Sequence, residues 1–380
     1  MTVTIDGTTG IDKVQDGSIV YADLNSNIPL GTKNLIINGN MQIAQRGTSS
    51  TGQTTSGYKT CDRFYVNINS AGTWTITQDT DVPSGYGFAN SLKLSCTTAD
   101  ASLSAGDQVG IDTRIESQNL QHLKYGTSSA EKLTLSFWVK SNKTGTQTFE
   151  LAHFGSSTRH IAKTYTIDTA DTWEKKTITI DGDTSMSPDN DNALGFVIKW
   201  WLGAGSNFTS GTLATSWANR DIANAVSSSN VNLADSTSNY INITAVQLEQ
   251  SENATPFEQR MYSQELAMCQ RYYFKVGPSS AGDRVAIGYA ALSTLSDVLF
   301  VFPVTMRDAP TALEQTGTAS DYGVQRAAGQ LTCSAVPVFT TATKNQAAIR
   351  QTVSSGLTTG EGTAARLQTT SAYYAWSAEL

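Results

Sequence analysis

From residue 34 onward, hydrophobic positions recur mostly with a period of two. Trp74 and Ile76 alternate with threonines in "TWTIT", and Leu92, Leu94 and Cys96 do the same in "SLKLSC". In "KLTLSFWVKSN" one face carries Leu133, Leu135, Phe137 and Val139, and the other Thr134, Ser136, Trp138 and Lys140. This is the pattern of strands with one side in a core. "TWEKKTITIDGD" and "YINITAVQLEQ" continue the series, with loops rich in Ser, Gly, Asn and Asp between them and a turn signal at Asn38-Gly39. Such a run predicts an antiparallel sandwich or barrel. In "YINITAVQLEQ", Ile241 and Ile243 have one parity, Val246 and Leu248 the other, which predicts a bulge near Thr244.

The period changes once. In "TPFEQRMYSQELAMCQRYYFKV", Leu266, Cys269 and Tyr273 recur at helical spacing, Ser263 is placed to cap and Glu265 falls in the first turn. A short helix over about 263–274 is predicted. Alternation then returns with Val285, Ile287 and Tyr289. "VLFVFPVTM" is apolar on both parities, as in a strand buried on two sides, and "AYYAWSAEL" places Tyr374, Trp376 and Leu380 on one face up to the last residue. The expected organisation is mainly β: an N-terminal arm over 1–33, a β-sandwich over 34–260, a linking helix over 261–276 and a C-terminal β-sandwich over 277–380. The arm has only sparse apolar points, Ile11, Val14 and Ile19. It is either disordered or ordered by a partner.

"VIKWWLGAG" places two indoles side by side on a strand, so they face opposite ways. Trp200 shares its face with Leu194, Phe196, Ile198 and Leu202, which assigns it to the core. Trp201 shares its face with Lys199, just as Trp138 shares its own with Lys140. Two outward Trp/Lys pairs are candidates for a stacking platform, with sugar C–H faces on indole and an amine on hydroxyls. The alternatives are cover by a loop or by a neighbouring subunit. Trp217, in a loop-rich stretch, is either a further ligand contact or a loop anchor.

Charge removes one class of partner. With 26 Lys+Arg against 33 Asp+Glu, the net charge of −7 argues against nucleic acid. The start, "MTVTIDGTTG", shows no secretory signal, and the apolar runs are too short to span a bilayer, so a soluble protein made in a cytosol is expected. Cys61, Cys96, Cys269 and Cys333 form no CxxC pair and are expected to be buried thiols.

Catalytic motifs are missing: there is no HExxH, GxSxG or Walker loop, and the histidines His122, His153 and His160 have no ligand-like spacing. No cofactor is implied. Asp181, Asp183, Asp189 and Asp191 in "DGDTSMSPDNDN" offer oxygens for calcium, or make a plain Asx-rich turn. Asp107, Asp112 and Glu116 are the nearest approach to a glycosidase carboxylate pair.

Several blocks taken in order, "NLIINGNMQIAQRGTS", "DRFYV", "LTLSFWVKS", "DTWEKKTITIDGD" and "AVQLEQSENATPFEQRMYSQELAMCQRYY", resemble bacteriophage tail-fibre and receptor-binding virion proteins. Residues 34–260 also resemble the galactose-binding-type jelly roll of carbohydrate-binding modules. That family's first strand often carries N-L-x-x-N-G-x, like Asn34 to Met41, and its last V-Q-L-E, like Val246 to Glu249. The resemblance implies a homotrimer, an arm attached to another virion protein, and synthesis in the infected bacterium's cytoplasm. Three readings follow: a non-enzymatic adhesin binding host surface polysaccharide through Trp138, Lys140, Lys199, Trp201 and Trp217; a structural adaptor or decoration fibre; and a polysaccharide depolymerase.

Overall fold

The computed structural model describes residues 33–380, so the arm expected over 1–33 lies, but for its last residue, outside the described residues. Eleven strands form the first unit. They are β1 (Ser49–Tyr58), β2 (Phe64–Asp79), β3 (Ser91–Thr98), β4 (Gln108–Glu116), β5 (Leu133–Ser141), β6 (Gly145–Phe154), β7 (Thr158–Ile167), β8 (Glu174–Ile180), β9 (Leu194–Ala204), β10 (Ala218–Asn219) and β11 (Tyr240–Gln250). Their hydrogen-bonded order is β10-β7-β6-β9-β4-β2-β3-β11-β5-β8, with β1 paired to β2.

This path bends into two layers at β2. Phe64–Asn69 pairs with β4, whereas Thr73–Asp79 pairs with β3. Between them Ser70 (φ 51°) and Gly72 (φ 76°) turn the strand through left-handed backbone, and a Cβ on Gly72 would lie 2.4 Å from the Thr98 carbonyl oxygen. The layers enclose one core containing Trp74, Ile76, Leu94, Phe137 and Trp200. The Phe137 and Trp200 rings meet edge to face across it at 5.6 Å.

The expected bulge is present. Along β5, Trp138 and Ser136 lie opposite Thr244 and Gln247 of β11, so the single residue Phe137 between them faces two, Ala245 and Val246, and Ala245 takes φ 52°. The extra residue lets Ile241 and Ile243 before it, and Val246 and Leu248 after it, all enter the core. β3 pairs with β11 only as far as Ile243. Beyond that point the "NLIING" segment takes over: Leu35 N–H donates to Leu248 O (2.9 Å), Val246 N–H to Gly39 O (2.9 Å) and Leu248 N–H to Asn34 Oδ1 (3.1 Å).

The chain then forms a short helix, Tyr262–Gln270, and the strands β12 (Tyr273–Val276), β13 (Arg284–Leu292), β14 (Leu295–Val301), β15 (Tyr322–Arg326), β16 (Gly329–Ala342), β17 (Gln346–Val353), β18 (Gly362–Leu367) and β19 (Tyr374–Ser377). The helix is shorter than expected at its end. Met261 rather than Ser263 stands at its cap, and Tyr273 already belongs to β12, which pairs with β19. β13-β14-β17-β16-β15-β18 close into a barrel, where two open sheets were expected. Closure also corrects the reading of "VLFVFPVTM": a barrel wall has one inner face, so Val298 and Phe300 are buried while Leu299 and Val301 are exposed.

Buried ion pairs join the two units. Arg63 is 1% exposed, lies 3.5 Å from the Tyr272 ring centroid and pairs with Glu379. Glu116 accepts from Arg271 Nε (2.8 Å), Arg271 Nη2 (2.7 Å) and Tyr272 Oη (2.5 Å). The four cysteines are buried free thiols. Among the described residues no helix is long and apolar enough to cross a membrane.

A methyl group on Gly39 would lie 2.1 Å from the Val246 carbonyl oxygen, where only backbone movement could relieve it. Gly39→Ala is expected to lower unfolding free energy by about 1–3 kcal/mol in chemical denaturation, as overpacking does. A variant as stable as the parent would show that this contact does not hold β11.

Candidate functional site

The two Trp/Lys pairs lie on opposite outer faces of the sandwich, Trp201 on the layer containing β6 and β9, Trp138 on the layer containing β5 and β11. They cannot form the single platform considered from the sequence.

Trp201 is covered, at 1% exposure, by the loop after β9. It packs with Ala225 and Val226, and its ring lies 5.1 Å from that of Phe208. Its Nε1–H donates to Glu150 Oε2 (3.1 Å); Glu150 also accepts from Arg220 Nε (3.0 Å) and pairs with His160 Nδ1 (2.9 Å). Lys199 sits 3.4 Å from the Trp201 ring centroid and donates to Gln108 Oε1 (2.7 Å). Of the three covers open to Trp201, the loop is the one observed, so neither it nor Lys199 offers a surface to sugar. Burial drives the Lys199 ammonium down to about 8, against the opposing pull of Glu150 and Asp112.

Trp217 is also an anchor. Its Nε1–H donates to Asp181 O (2.6 Å), and its ring meets Tyr125 and His153 edge to face at 5.9 and 6.2 Å. The Asp-rich loop makes no cation cradle. Asp183 is fully buried and accepts from Arg159 Nε (2.9 Å) and Ser185 N (3.0 Å), Asp181 lies 3.8 Å from Lys132 Nζ, and Asp191 accepts from Ala193 N (3.0 Å). No group of three metal-ligating side chains converges among the described residues, and Asp189 joins none. The other carboxylates are likewise engaged: Asp107 accepts from Ser104 N (2.7 Å), Asp112 from Asn67 Nδ2 (2.5 Å), and Glu116 lies at the junction described above.

Trp138 stays partly open, on the floor of a groove of about 460 Å³. Ser136 and the bulge residue Ala245 complete the floor, with Lys175 alongside, directly across from Trp138 on β8. One wall is the loop before β3. There Gly85 (φ 83°) and Gly87 (φ 76°) adopt left-handed backbone and hold Tyr86 out at 58% exposure, its ring 4.5 Å from that of Trp138. The other wall is Ala254, Thr255, Pro256, Phe257 and Gln259, and Phe88 meets Phe257 edge to face at 5.4 Å.

The polar half of "VQLE" secures that second wall. Gln247 Oε1 accepts from Glu258 N (2.8 Å), and Glu249 accepts from Thr255 N (2.9 Å) and Thr255 Oγ1 (2.7 Å). Lys140 lies to one side, fixed to Asp81 (2.8 Å), which also accepts from Trp173 Nε1 (2.9 Å). Of the five residues expected to bind glycan, only Trp138 therefore enters the groove. Tyr86, Phe88, Lys175 and Phe257 were missed. The signal for the first two was "SGYGF", aromatics spaced by glycines in a loop; Lys175 and Phe257 carry none without strand pairing.

No family model matches this sequence, and no curated protein does. Solved structures give partial likenesses. The enzymatically active domain of bacteriophage CBA120 tailspike protein 4 is similar at 15% identity over 57% of this chain, with TM-score 0.31; this chain spans only 21% of that one. A family 11 carbohydrate-binding module of Clostridium thermocellum, in complex with a β-1,3-1,4-mixed-linked tetrasaccharide, aligns at 14% identity over 55% of this chain and 98% of that one, TM-score 0.25. TmCBM61, in complex with β-1,4-galactotriose, aligns at 8% over 58% of this chain and 100% of that one, TM-score 0.28. None of these likenesses assigns a residue of this chain.

The buried ammonium gives a pH test of the covered face. Below about 8 both folded and unfolded chains carry the Lys199 charge and its burial cost is fully present; above 10.5 neither does. Relative to Lys199→Met, the wild type is expected to gain roughly 3 kcal/mol of stability as pH rises through this window. A stability difference that stays flat with pH would place Lys199 in water.

Proposed function

We propose that this chain is a non-enzymatic bacteriophage fibre protein that binds host surface glycan through the Trp138 groove. The observation that carries the reading is the groove itself. An open indole and a phenol stand 4.5 Å apart over a bulged sheet, between walls fixed by Gln247, Glu249 and two left-handed glycines. Sugar rings present C–H faces that pack on aromatic rings, while their hydroxyls need polar groups nearby, here Ser136 and Gln259. The virion role and the homotrimer rest on the order of sequence blocks. The barrel adds support for assembly: Ile287 and Leu299, cross-strand partners, are exposed together with Val301 and Tyr289, as surfaces that contact another subunit are. Several weak sites on one particle would raise effective affinity without new contacts.

The depolymerase reading has less support, because glycoside hydrolysis uses two carboxyl groups beside the bond and the groove lining contains neither Asp nor Glu. Release of new reducing ends from host polysaccharide would restore it.

Trp138→Ala and Tyr86→Ala are each expected to weaken binding to host lipopolysaccharide or capsule at least tenfold, with melting temperature little changed because both rings are partly or largely exposed. Surface plasmon resonance on immobilised polysaccharide reads the loss. Undiminished binding by the Trp138→Ala protein would remove the groove from the function.

A further inference from the structure

The charges around the groove are unevenly committed. Asp81 is held by Lys140 and Trp173, Glu249 by Thr255 and Gln247, and Glu258 by the Lys33 and Asn34 amides (3.1 and 2.7 Å) and Arg260 (3.3 Å). Lys33 is itself fixed, donating to Pro256 O (2.7 Å) behind the wall, and Glu174 pairs with Lys176 (2.5 Å). Lys175 differs: it is exposed, lines the groove beside Trp138, and its side-chain ammonium makes no ion pair or hydrogen bond among the described residues. The groove thus combines aromatic stacking surface with one uncommitted ammonium and no acidic lining residue.

From this we infer that the groove selects an acidic sugar, a pyranose stacked on Trp138 whose carboxylate or phosphate substituent reaches the Lys175 ammonium. The inference rests on the glycan-binding reading above. A neutral sugar would leave the ammonium without a partner. An anionic one would meet it where aromatic walls partly exclude water, which strengthens a charge-assisted hydrogen bond. The chain as a whole carries −7, so attraction of an acidic polymer has to come from a local cation of this kind.

The test measures binding of the full chain to three immobilised oligosaccharides of equal length: a neutral galactan, an oligogalacturonate and a phosphorylated mannan fragment. The wild type is expected to prefer at least one acidic probe over the neutral one by about fivefold in low salt, the preference shrinking as salt is raised. Whether carboxylate or phosphate is preferred identifies the substituent. Lys175→Gln is expected to bring the acidic-to-neutral ratio close to one, with an unchanged melting temperature, and Trp138→Ala to weaken every probe. If the wild type binds neutral and acidic probes alike, or Lys175→Gln keeps the preference, the acidic-sugar inference fails while glycan binding stands. If the wild type binds none of the three and no host polysaccharide, the glycan reading fails with it.

Discussion

The geometry of the proposed site depends on one extra residue in β11. Without a bulge at Ala245, a strand carrying Ile241, Ile243, Val246 and Leu248 could bury only half of them, because side chains alternate strictly along regular backbone. With it, all four enter the core, and the polar residues that alternate with the last two, Gln247 and Glu249, point to the other side of the sheet, where they are buried under residues 255–258 and fasten them. The distortion lies opposite Trp138 and Ser136, so the core's packing requirement and the groove's floor are one feature. Left-handed backbone at an alanine is costly. The Asn34–Gly39 segment helps hold it, supplying hydrogen bonds to Val246 and Leu248 where β3 has turned away.

Two outward tryptophans on one sandwich meet different fates because of the loops beside them. The segment after β9 is long and folds back, so Trp201 becomes the centre of a small second core beside the buried Glu150 and Lys199 and the half-buried Arg220. Beside β5 the loops stand as walls at the sides of the sheet and leave Trp138 partly open, with Tyr86 over it. Strand chemistry is nearly the same in both places, Trp two residues from Lys. What decides between filler and candidate contact is whether a covering segment reaches the ring.

That difference sets what could be read in advance. Periodicity gave the strands, the inward residues of β9 and the bulge, because burial on one face is a local property of the sequence. The closed barrel was less legible: "VLFVFPVTM" looks buried on both sides since the outward Leu299 and Val301 are as apolar as the inward Val298 and Phe300. The helix end was misplaced because Tyr273 fits the helical spacing yet pairs with Ser377, a partner over a hundred residues away. For the site, Trp138 was found by parity, whereas Lys175, Tyr86 and Phe257 come together only through pairing of β5 with β8 and through loops whose path no periodicity encodes. The family-like signatures "NLIING" and "VQLE" acquire a physical meaning here: they touch each other, and one holds the strand whose other side holds the wall.

The proposed place for ligand is over Trp138, not over Trp201 or the barrel. A crystal structure of the chain soaked with oligosaccharide released from host polysaccharide tests it directly. A pyranose ring is expected on the part of the Trp138 indole that Tyr86 leaves open, beside Tyr86 and between Lys175 and the Thr255–Phe257 wall. Ordered sugar elsewhere on the surface, with this groove holding only water, would contradict it.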